Sequence, residues 1–282
     1  MIAFRALMAK KLAIFAFSLL LIAAAAVSLP AQLAAPDAAG VSLGAVYYTV
    51  PDAAAQRKIW VDIFGAKPVM VGKTEMLKIP GAFIVLKQGE PAKGNPLINH
   101  FGIWGKDLDT TRAKLTAAGV NAPPKSQFID LPNGPRLEFI DDPAGPDVPS
   151  AHHIHYFVAS QPDGLSARAW YVKTFGATEN ARRNGAVPSA LLTPADKWIS
   201  IDFTAAGGRG GAAPAPPIPN KGTMLDRFSL EVKGIDAFVK KAEADGVKVA
   251  KPVSVNADGL KTAVVVDSLG NEIELVEGLA GK

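Results

Sequence analysis

The chain has 282 residues, of which 49% are hydrophobic and 20% charged, and its formal net charge is +4 at pH 7. That length and apolar content can fill one large or two ordinary domain cores, which argues against wholesale disorder. Cysteine is absent, which excludes disulfides, thiolate metal ligands, a cysteine nucleophile and a lipid-modified amino-terminal cysteine.

The amino-terminal segment has the composition of a secretory signal. Three cations and no acid precede the uncharged stretch Leu12–Leu29, and Ala26-Val27-Ser28 is a small-x-small cleavage site. We therefore expect residues 1–40 to be a signal peptide and spacer, and the mature protein to be periplasmic or secreted. An uncleaved anchor helix is the alternative, so membrane contact is expected only through this segment. Cleavage would lower the formal charge to +1, which does not favour nucleic-acid binding.

The pattern β-α-β-β-β can be read four times along the chain, and its first two copies lie before the middle. The first predicts a strand over Leu43–Val50, a helix capped by Asp52 and ended by Gly65, and three short strands after it. The second predicts a strand from Asn99, a helix, and a hairpin turning on Pro132-Asn133-Gly134. The Pro- and Asp-rich stretch that follows is typical of a linker, so we expect one domain over 41–141, a linker over 142–150 and a second domain over 151–282.

The third repeat begins with Ala151–Val158, an apolar run that predicts a strand and carries three of the four histidines. Side chains alternate along a strand, so His153 and His155 should share one face while His152 points away. Two imidazoles on one face can begin a metal site if a carboxylate from another strand reaches them. After this repeat, the Gly- and Pro-rich residues 205–222 predict a mobile loop, and a fourth repeat follows.

Counting along the chain supports four copies of one unit. His100-Phe101 and Arg227-Phe228 lie 127 positions apart, and the matching stretches that start at Gly134 and Gly270 place Glu138 over Glu274. The first and third repeats superpose YTVPD on YFVASQPD with a three-residue insertion, which matches Asp52 with Asp163 and places His153 over Ala45 and His155 over Tyr47.

The sequences HIHYFV, WYVKTFGA, LDRFSLEVKGIDAF and DSLGNEIELVEG resemble the vicinal oxygen chelate superfamily, which contains glyoxalase I, bleomycin-resistance proteins and extradiol dioxygenases. The resemblance covers Leu43–Gly278. It implies an α+β fold in which four βαβββ units pair into two glyoxalase-like domains with half-open barrel sheets. It also implies a small-molecule ligand and, since this fold often pairs units between chains, allows a homodimer.

The resemblance implies metal ligands on two first strands and one last strand. With neighbouring units paired, the carboxy-terminal domain supplies His153 and Glu274 but has Arg227 in the third position. The amino-terminal domain supplies His100 and Glu138 but has Ala45 there. His155 could complete the first set. For the second set, Tyr47 could do so.

Two functions stay open at this point. One is a lyase, isomerase or dioxygenase in which iron, manganese, nickel or zinc binds a small oxygenated molecule and Glu274 acts as a base. The other is a metal-free binding protein in which Arg227 takes the place of the metal, pairs with Glu274 and binds an anionic oxygen. In either case Tyr47, Trp104 and Trp198 are candidates to line the ligand pocket.

Overall fold

A computed structural model describes residues 33, 34, 36, 38–193, 199–205 and 217–282. The predicted signal peptide, Trp198 and most of the predicted mobile loop lie outside these residues. The described residues form four helices: α1 (Ala53–Asp62), α2 (Asp109–Ala117), α3 (Gln161–Phe175) and α4 (Ile235–Ala244). They also form fifteen strands: β1 (Val41–Val50), β2 (Lys67–Val71), β3 (Thr74–Ile79), β4 (Ala82–Gln88), β5 (Ile98–Gly105), β6 (Phe128–Asp130), β7 (Arg136–Asp141), β8 (Ser150–Val158), β9 (Thr178–Arg182), β10 (Val187–Leu191), β11 (Ser200–Ala205), β12 (Leu225–Val232), β13 (Lys248–Val255), β14 (Lys261–Val266) and β15 (Glu272–Glu277).

The strands form two mixed sheets, which confirms the predicted α+β fold. The eight-stranded sheet has the order β13-β14-β15-β12-β1-β4-β3-β2, and the seven-stranded sheet has the order β6-β7-β5-β8-β11-β10-β9. In each sheet two units meet through their first strands, which run antiparallel to each other.

The pairing of units differs from the expected one. The first unit shares its sheet with the fourth, and the second shares its sheet with the third, so the boundary expected at 142–150 runs through the seven-stranded sheet. The linker between β7 and β8 is short, so the two strands belong to the same sheet, in which β8 lies beside β5. We expected the two units within 41–141 to share one sheet and the two units within 151–282 to share another, and the sheets are not divided in this way.

The second unit has two strands after its helix, β6 and β7, which form the hairpin that its sequence predicts, whereas the βαβββ repeat implied three strands. Residues 121–127, between α2 and β6, contain Pro123 and Pro124 and form no strand. Proline lacks the backbone N–H that a sheet hydrogen bond requires, so these two residues disfavour a further strand there.

Two of the four helices begin at a capping side chain, and α1 ends at Asp62, with Ile63 as its C-cap, rather than at Gly65 as predicted. Asp52 caps α1 by accepting a hydrogen bond from the backbone N–H of Ala55, as expected. Ser160 caps α3 in the same way, and Gly176 ends it in the left-handed conformation. Large aromatic side chains on α1, just after it, and on α3 are buried: Trp60, Phe64, Tyr171 and Phe175.

Buried polar groups join the two sheets. The hydroxyl groups of Tyr156 on β8 and Tyr171 on α3 both donate to Asp267, in the loop between β14 and β15. Asn220 donates to the carbonyls of Ile98 and Leu225, at the starts of β5 and β12, and accepts from the N–H of Ile98. No helix among the described residues has the length and apolar character needed to cross a membrane.

Candidate metal centre

Three imidazoles and one carboxylate meet in the seven-stranded sheet. His100, Glu138, His153 and His155 each place one potential ligand atom within 4.8 Å of the others. All four are buried, with relative exposures of 5% or less. They come from β5, β7 and β8, which are adjacent in the sheet.

The strand register explains why these residues meet. On β5 and β8, His100 lies opposite His155, and Gly102 lies opposite His153. Gly102 is also the register partner of Glu138 on β7, so it lies between the carboxylate and the third imidazole. Since side chains alternate along a strand, His153 and His155 share a face, as the sequence predicts.

Gly102 makes room for His153. A Cβ atom added at Gly102 would lie 2.1 Å from Nδ1 of His153 and 2.2 Å from its Cε1, far inside van der Waals contact. The His153 ring therefore occupies the space that a side chain at position 102 would take.

The spacing of the four groups fits a common metal ion. Nε2 of His100 and Nε2 of His153 lie 2.9 and 3.0 Å from Oε2 of Glu138, and 3.3 Å from each other. Nδ1 of His155 lies 3.3 Å from Nε2 of His153 and 3.9 Å from the carboxylate. Ligands bound to one ion at about 2.1 Å stand roughly 3.0–3.5 Å apart, so this donor set suits a divalent transition metal.

The remaining ring nitrogens have partners of their own. Nδ1 of His100 lies 2.9 Å from the side-chain oxygen of Asn99, and Nε2 of His155 lies 2.8 Å from the hydroxyl of Thr204. Nδ1 of His153 lies 2.7 Å from Nδ1 of His152, although the alternation of the strand predicts that His152 points away. Such contacts orient metal-binding imidazoles and fix which nitrogen carries the proton.

Burial keeps His100 and His155 in the form that binds metal. Desolvation, with some opposition from Glu138, lowers the pKa of His100 to about 4. Desolvation and the neighbouring histidines lower the pKa of His155 well below its usual value. Both rings are therefore neutral at pH 7, with a lone pair available to a cation.

Glu138 is ionised although it is buried. Burial alone would raise its pKa, but hydrogen bonds from His100 and His153 lower the pKa far below the usual range. Its second oxygen, Oε1, accepts from Nε2 of Gln127 at 2.5 Å and from Nη2 of Arg183 at 3.2 Å. This leaves Oε2 directed at the imidazoles.

Sequence reasoning missed a buried acid beside the cluster. Asp202 on β11 is the register partner of His155, and it is fully buried with hydrogen bonds from Arg182 and Ser200. Burial opposes ionisation of Asp202, but the charges of His153 and Arg182 lower its pKa to about 2. Its register relation to His155 equals that of Glu138 to Gly102, a signal that the repeat contained.

The second sheet carries the equivalent positions with other chemistry. Tyr47 lies opposite Arg227 as His155 lies opposite His100, and Glu274 pairs with Ser229 as Glu138 pairs with Gly102. Position by position, Ala45 takes the place of His153, Arg227 that of His100, and Ser229 that of Gly102.

The expected grouping of His153 with Glu274 is therefore wrong. Glu274 lies in the other sheet, because the fourth unit pairs with the first, and it accepts from Nε of Arg227 at 2.7 Å. Arg227 also lies 4.0 Å over the ring of Tyr47, whose hydroxyl donates to Glu274 at 3.3 Å. These three residues border an open cavity of about 210 Å³ with a mixed polar and apolar lining.

Trp104 is the pocket tryptophan candidate that the structure describes. Its ring packs edge-on against His152, with centroids 5.6 Å apart, so it contacts a neighbour of the four-residue cluster. Trp198, the second tryptophan expected at the pocket, lies outside the described residues.

A second acidic group, formed by Asp107, Asp109 and Asp141, has a different character. The buried Arg112 donates to Asp109 and Asp141, and Lys125 pairs with Asp109 at 2.9 Å. Cationic side chains thus neutralise these carboxylates, and they form a structural ion network.

Comparisons with known proteins agree with this architecture. Residues 150–275 match the family model described as Glyoxalase/Bleomycin resistance protein/Dioxygenase superfamily. This segment includes His153 and His155 but begins after His100 and Glu138. No curated protein matches the sequence.

Solved structures resemble nearly the whole described chain. Glyoxalase I from Zea mays is 17% identical, with a TM-score of 0.60, and the alignment covers 84% of this chain and 92% of that one. A Bacillus subtilis protein, provisionally described as a dioxygenase, is 13% identical with a TM-score of 0.61, covering 85% of this chain and 87% of that one. At these identities the likeness establishes the fold alone.

Proposed function

Because residues 150–275 belong to the glyoxalase, bleomycin resistance protein and dioxygenase superfamily and the chain has the fold of glyoxalase I, we propose that this protein is a metal-dependent enzyme acting on a small oxygenated molecule. The observation that carries the proposal is the convergence of His100, Glu138, His153 and His155 at distances that suit one divalent ion. The second unit of the chain supplies His100 and Glu138, and the third unit supplies His153 and His155.

The residues present fit a divalent metal of the iron, manganese, nickel or zinc group. The donors are imidazole nitrogens and one ionised carboxylate, which such metals prefer, and the outer ring nitrogens are held by neighbours. A metal bound there would polarise two neighbouring oxygens of a substrate and, if redox-active, could pass electrons to dioxygen.

The protein groups divide the remaining work. His100, His153 and Glu138 form the tightest part of the cluster, whereas His155 is the member farthest from the carboxylate, at 3.9 Å. His155 is held at Nε2 by Thr204, which directs its Nδ1 at the other three groups as the fourth potential ligand. The burial of all four groups excludes water from the charge that develops there.

The properties of Glu138 and Asp202 favour dioxygenase over isomerase activity. A glyoxalase-type isomerisation requires a carboxylate base that is free to take up a proton near neutral pH. Glu138 is tied by four partners, and Asp202 by Arg182 and Ser200, and the pKa of each lies well below neutrality. Two histidines with one carboxylate are also the ligand set of non-haem iron oxygenases.

Metal analysis of paired variants tests the proposal. We expect the purified protein to carry close to one transition metal ion per chain, Glu138→Gln to lose it, and Glu274→Gln to keep it. Glu274 is the matched control because it occupies the equivalent position in the other sheet. A metal-free wild-type protein, or equal metal content in the two variants, would contradict the assignment. Oxygen uptake with vicinal diols then distinguishes dioxygenase from isomerase activity.

A second candidate function concerns the eight-stranded sheet. There Arg227 occupies the position of His100 and neutralises Glu274 beside an open cavity of about 210 Å³. This arrangement supports metal-free binding of a small ligand at that sheet, whether or not the first site is catalytic. Ligand binding that survives Glu138→Gln but not Arg227→Ala would support it.

We also propose that the enzyme acts outside the cytoplasm. The basic and then uncharged stretch at residues 1–29 supports export, and the lack of cysteine makes the fold independent of disulfide formation. Amino-terminal sequencing of protein recovered from the periplasm or medium tests this, with a start after Ser28 expected.

A further inference from the structure

Two solvent-exposed residues, Gln127 and Arg183, donate hydrogen bonds to Glu138 of the buried metal centre, and Arg183 is the charged one. Arg183 has a side-chain exposure of 50%, yet its Nη2 donates to Oε1 of Glu138, which is 1% exposed. Among the described partners of the centre, this guanidinium therefore reaches from the solvent to the buried carboxylate.

Arg183 lies in the turn that joins β9 to β10. It follows β9 and, with Asn184, has a positive φ, of 51° and 55° respectively, before Gly185 at 90°. The N–H of Ala186 donates to the carbonyl of Arg183 and closes the turn. Positive φ values at successive residues are typical of the tight turns that join antiparallel strands, so the β9–β10 turn sets the backbone position from which the Arg183 side chain extends.

From these contacts we propose that Arg183 binds an anionic group of the substrate, and that the substrate is a small organic acid carrying a carboxylate near its two chelating oxygens. This inference rests on the function proposed above. It deepens that function by naming the substrate class.

Charge at the centre supports an acidic substrate. With a divalent ion in place, Glu138 cancels one of its two positive charges and Arg183 adds one, while Arg182 and Asp202 neutralise each other. A doubly negative ligand would balance the remaining charge. Arg136 adds a second guanidinium nearby, 4.7 Å over the ring of Phe128, which in turn packs edge-on against His100.

The geometry suits an exchange of partners. Arg183 makes only a single, long contact to Glu138, at 3.2 Å, whereas Gln127 holds the same oxygen at 2.5 Å. Arg183 can therefore leave Glu138 without freeing that oxygen, and its planar guanidinium can then bind a carboxylate with two parallel hydrogen bonds.

Calorimetry of the zinc-loaded full chain tests the inference without turnover. The probes are catechol and the 2,3- and 3,4-dihydroxybenzoates, which carry the same two oxygens with an added carboxylate. We expect at least one acid to bind about tenfold or more tightly than catechol, and Arg183→Gln to reduce this advantage below about threefold while catechol affinity stays within about twofold. Arg183→Lys, which keeps the charge but not the fork, should retain an intermediate advantage.

Arg57→Gln is the matched control, because it removes one exposed guanidinium from α1, outside the seven-stranded sheet, and should preserve the preference. An undiminished preference in Arg183→Gln, or an equal loss for catechol and the acids, would overturn the inference. Zinc content is measured on every sample. Zinc-free wild-type protein would overturn the proposed function as well, whereas zinc-loaded protein with no acid preference would overturn only the role of Arg183.

Discussion

Gly102 shows how a residue without a side chain can define a metal centre. The His153 ring lies in the space that a Cβ atom at Gly102 would occupy. Gly102 is the strand partner of both Glu138 and His153. Neither its backbone angle nor a turn requires glycine here, since it is not among the positive-φ residues. The requirement comes from the neighbouring imidazole alone.

Gly102→Ala should therefore weaken metal binding much more than it weakens folding. We expect the metal dissociation constant to rise by at least about tenfold, because displacing one ligand by even 1 Å removes its bond. Competition with a chromophoric chelator measures this, and thermal unfolding reports on the fold. Gly281→Ala is the control, since a Cβ at Gly281 meets nothing within 4 Å. Similar affinities in both variants would show that the His153 ring can move aside.

At the scale of elements, the ion network around α2 stabilises the second unit. Arg112 is 1% exposed and donates to Asp109 on its own helix and to Asp141 at the end of β7. Hydrogen bonds from Lys125 lower the pKa of Asp109 to about 2, and a hydrogen bond from Arg112 lowers that of Asp141.

These lowered pKa values predict a loss of stability in acid. A carboxylate whose pKa is lower in the folded state stabilises the fold above its unfolded pKa, near 4, and that contribution disappears as the pH falls through the folded value. Urea unfolding between pH 5 and pH 2 should therefore show a decline that is shallower in Asp109→Asn. Asp62→Asn, an exposed pair member on α1, should leave the slope unchanged. Parallel curves for wild type and Asp109→Asn would contradict the prediction.

The strands and helices were largely predictable because they depend on local chemistry. Alternating apolar residues gave β1, the histidine strand and the hairpins, and Asp52 marked a helix start that the structure confirms. The hairpin at the end of the second unit was predicted from its own sequence and is confirmed, whereas the βαβββ repeat implied a third strand there. Pro123 and Pro124, visible in the sequence, disfavour that strand, so local chemistry is a better guide at this point than the repeat.

At the scale of the whole molecule, the pairing of units decides which ligands meet. Sequence counting found the equivalent positions, including Glu138 over Glu274, because equivalence within a repeat depends only on spacing. It could not find which repeats share a sheet, since that depends on long-range contacts. With the first unit paired to the fourth, all three histidines of the candidate metal centre and Glu138 fall in one sheet, which completes that donor set and leaves Glu274 without a histidine in the other sheet.

The same equivalence predicts how to build a second metal centre. Ala45→His and Arg227→His supply the missing imidazoles beside Glu274, but Ser229 occupies the position of Gly102 and its hydroxyl accepts from the N–H of Ala45. We expect the triple variant with Ser229→Gly to bind two metal ions per chain, because only then is there room for the new ring. The double variant that keeps Ser229 is the control and should bind about one. Equal stoichiometry in the two variants would contradict the role assigned to position 102.

The contacts of Asn220 predict how strongly the two sheets depend on each other. Its side chain forms three hydrogen bonds that link the start of β5 with the start of β12. Asn220→Ala leaves buried backbone groups without partners, which should lower the free energy of unfolding by about 2–4 kcal/mol. Denaturant unfolding measures the loss. Asn256→Ala, which breaks side-chain contacts within one surface turn, should cost less.

The nested order of the units also sets a sequence of events during synthesis. Residues 98–205, which contain the whole metal centre, are complete before the fourth unit has been made, whereas β1 must wait for β12 at the far end of the chain. On a ribosome that adds residues one after another, the inner sheet can thus close early, and the first unit stays without its partner strand until translation is nearly finished. The exposed edge of β1 is consequently the place where a nascent chain is most open to mispairing, and where a chaperone would be most useful.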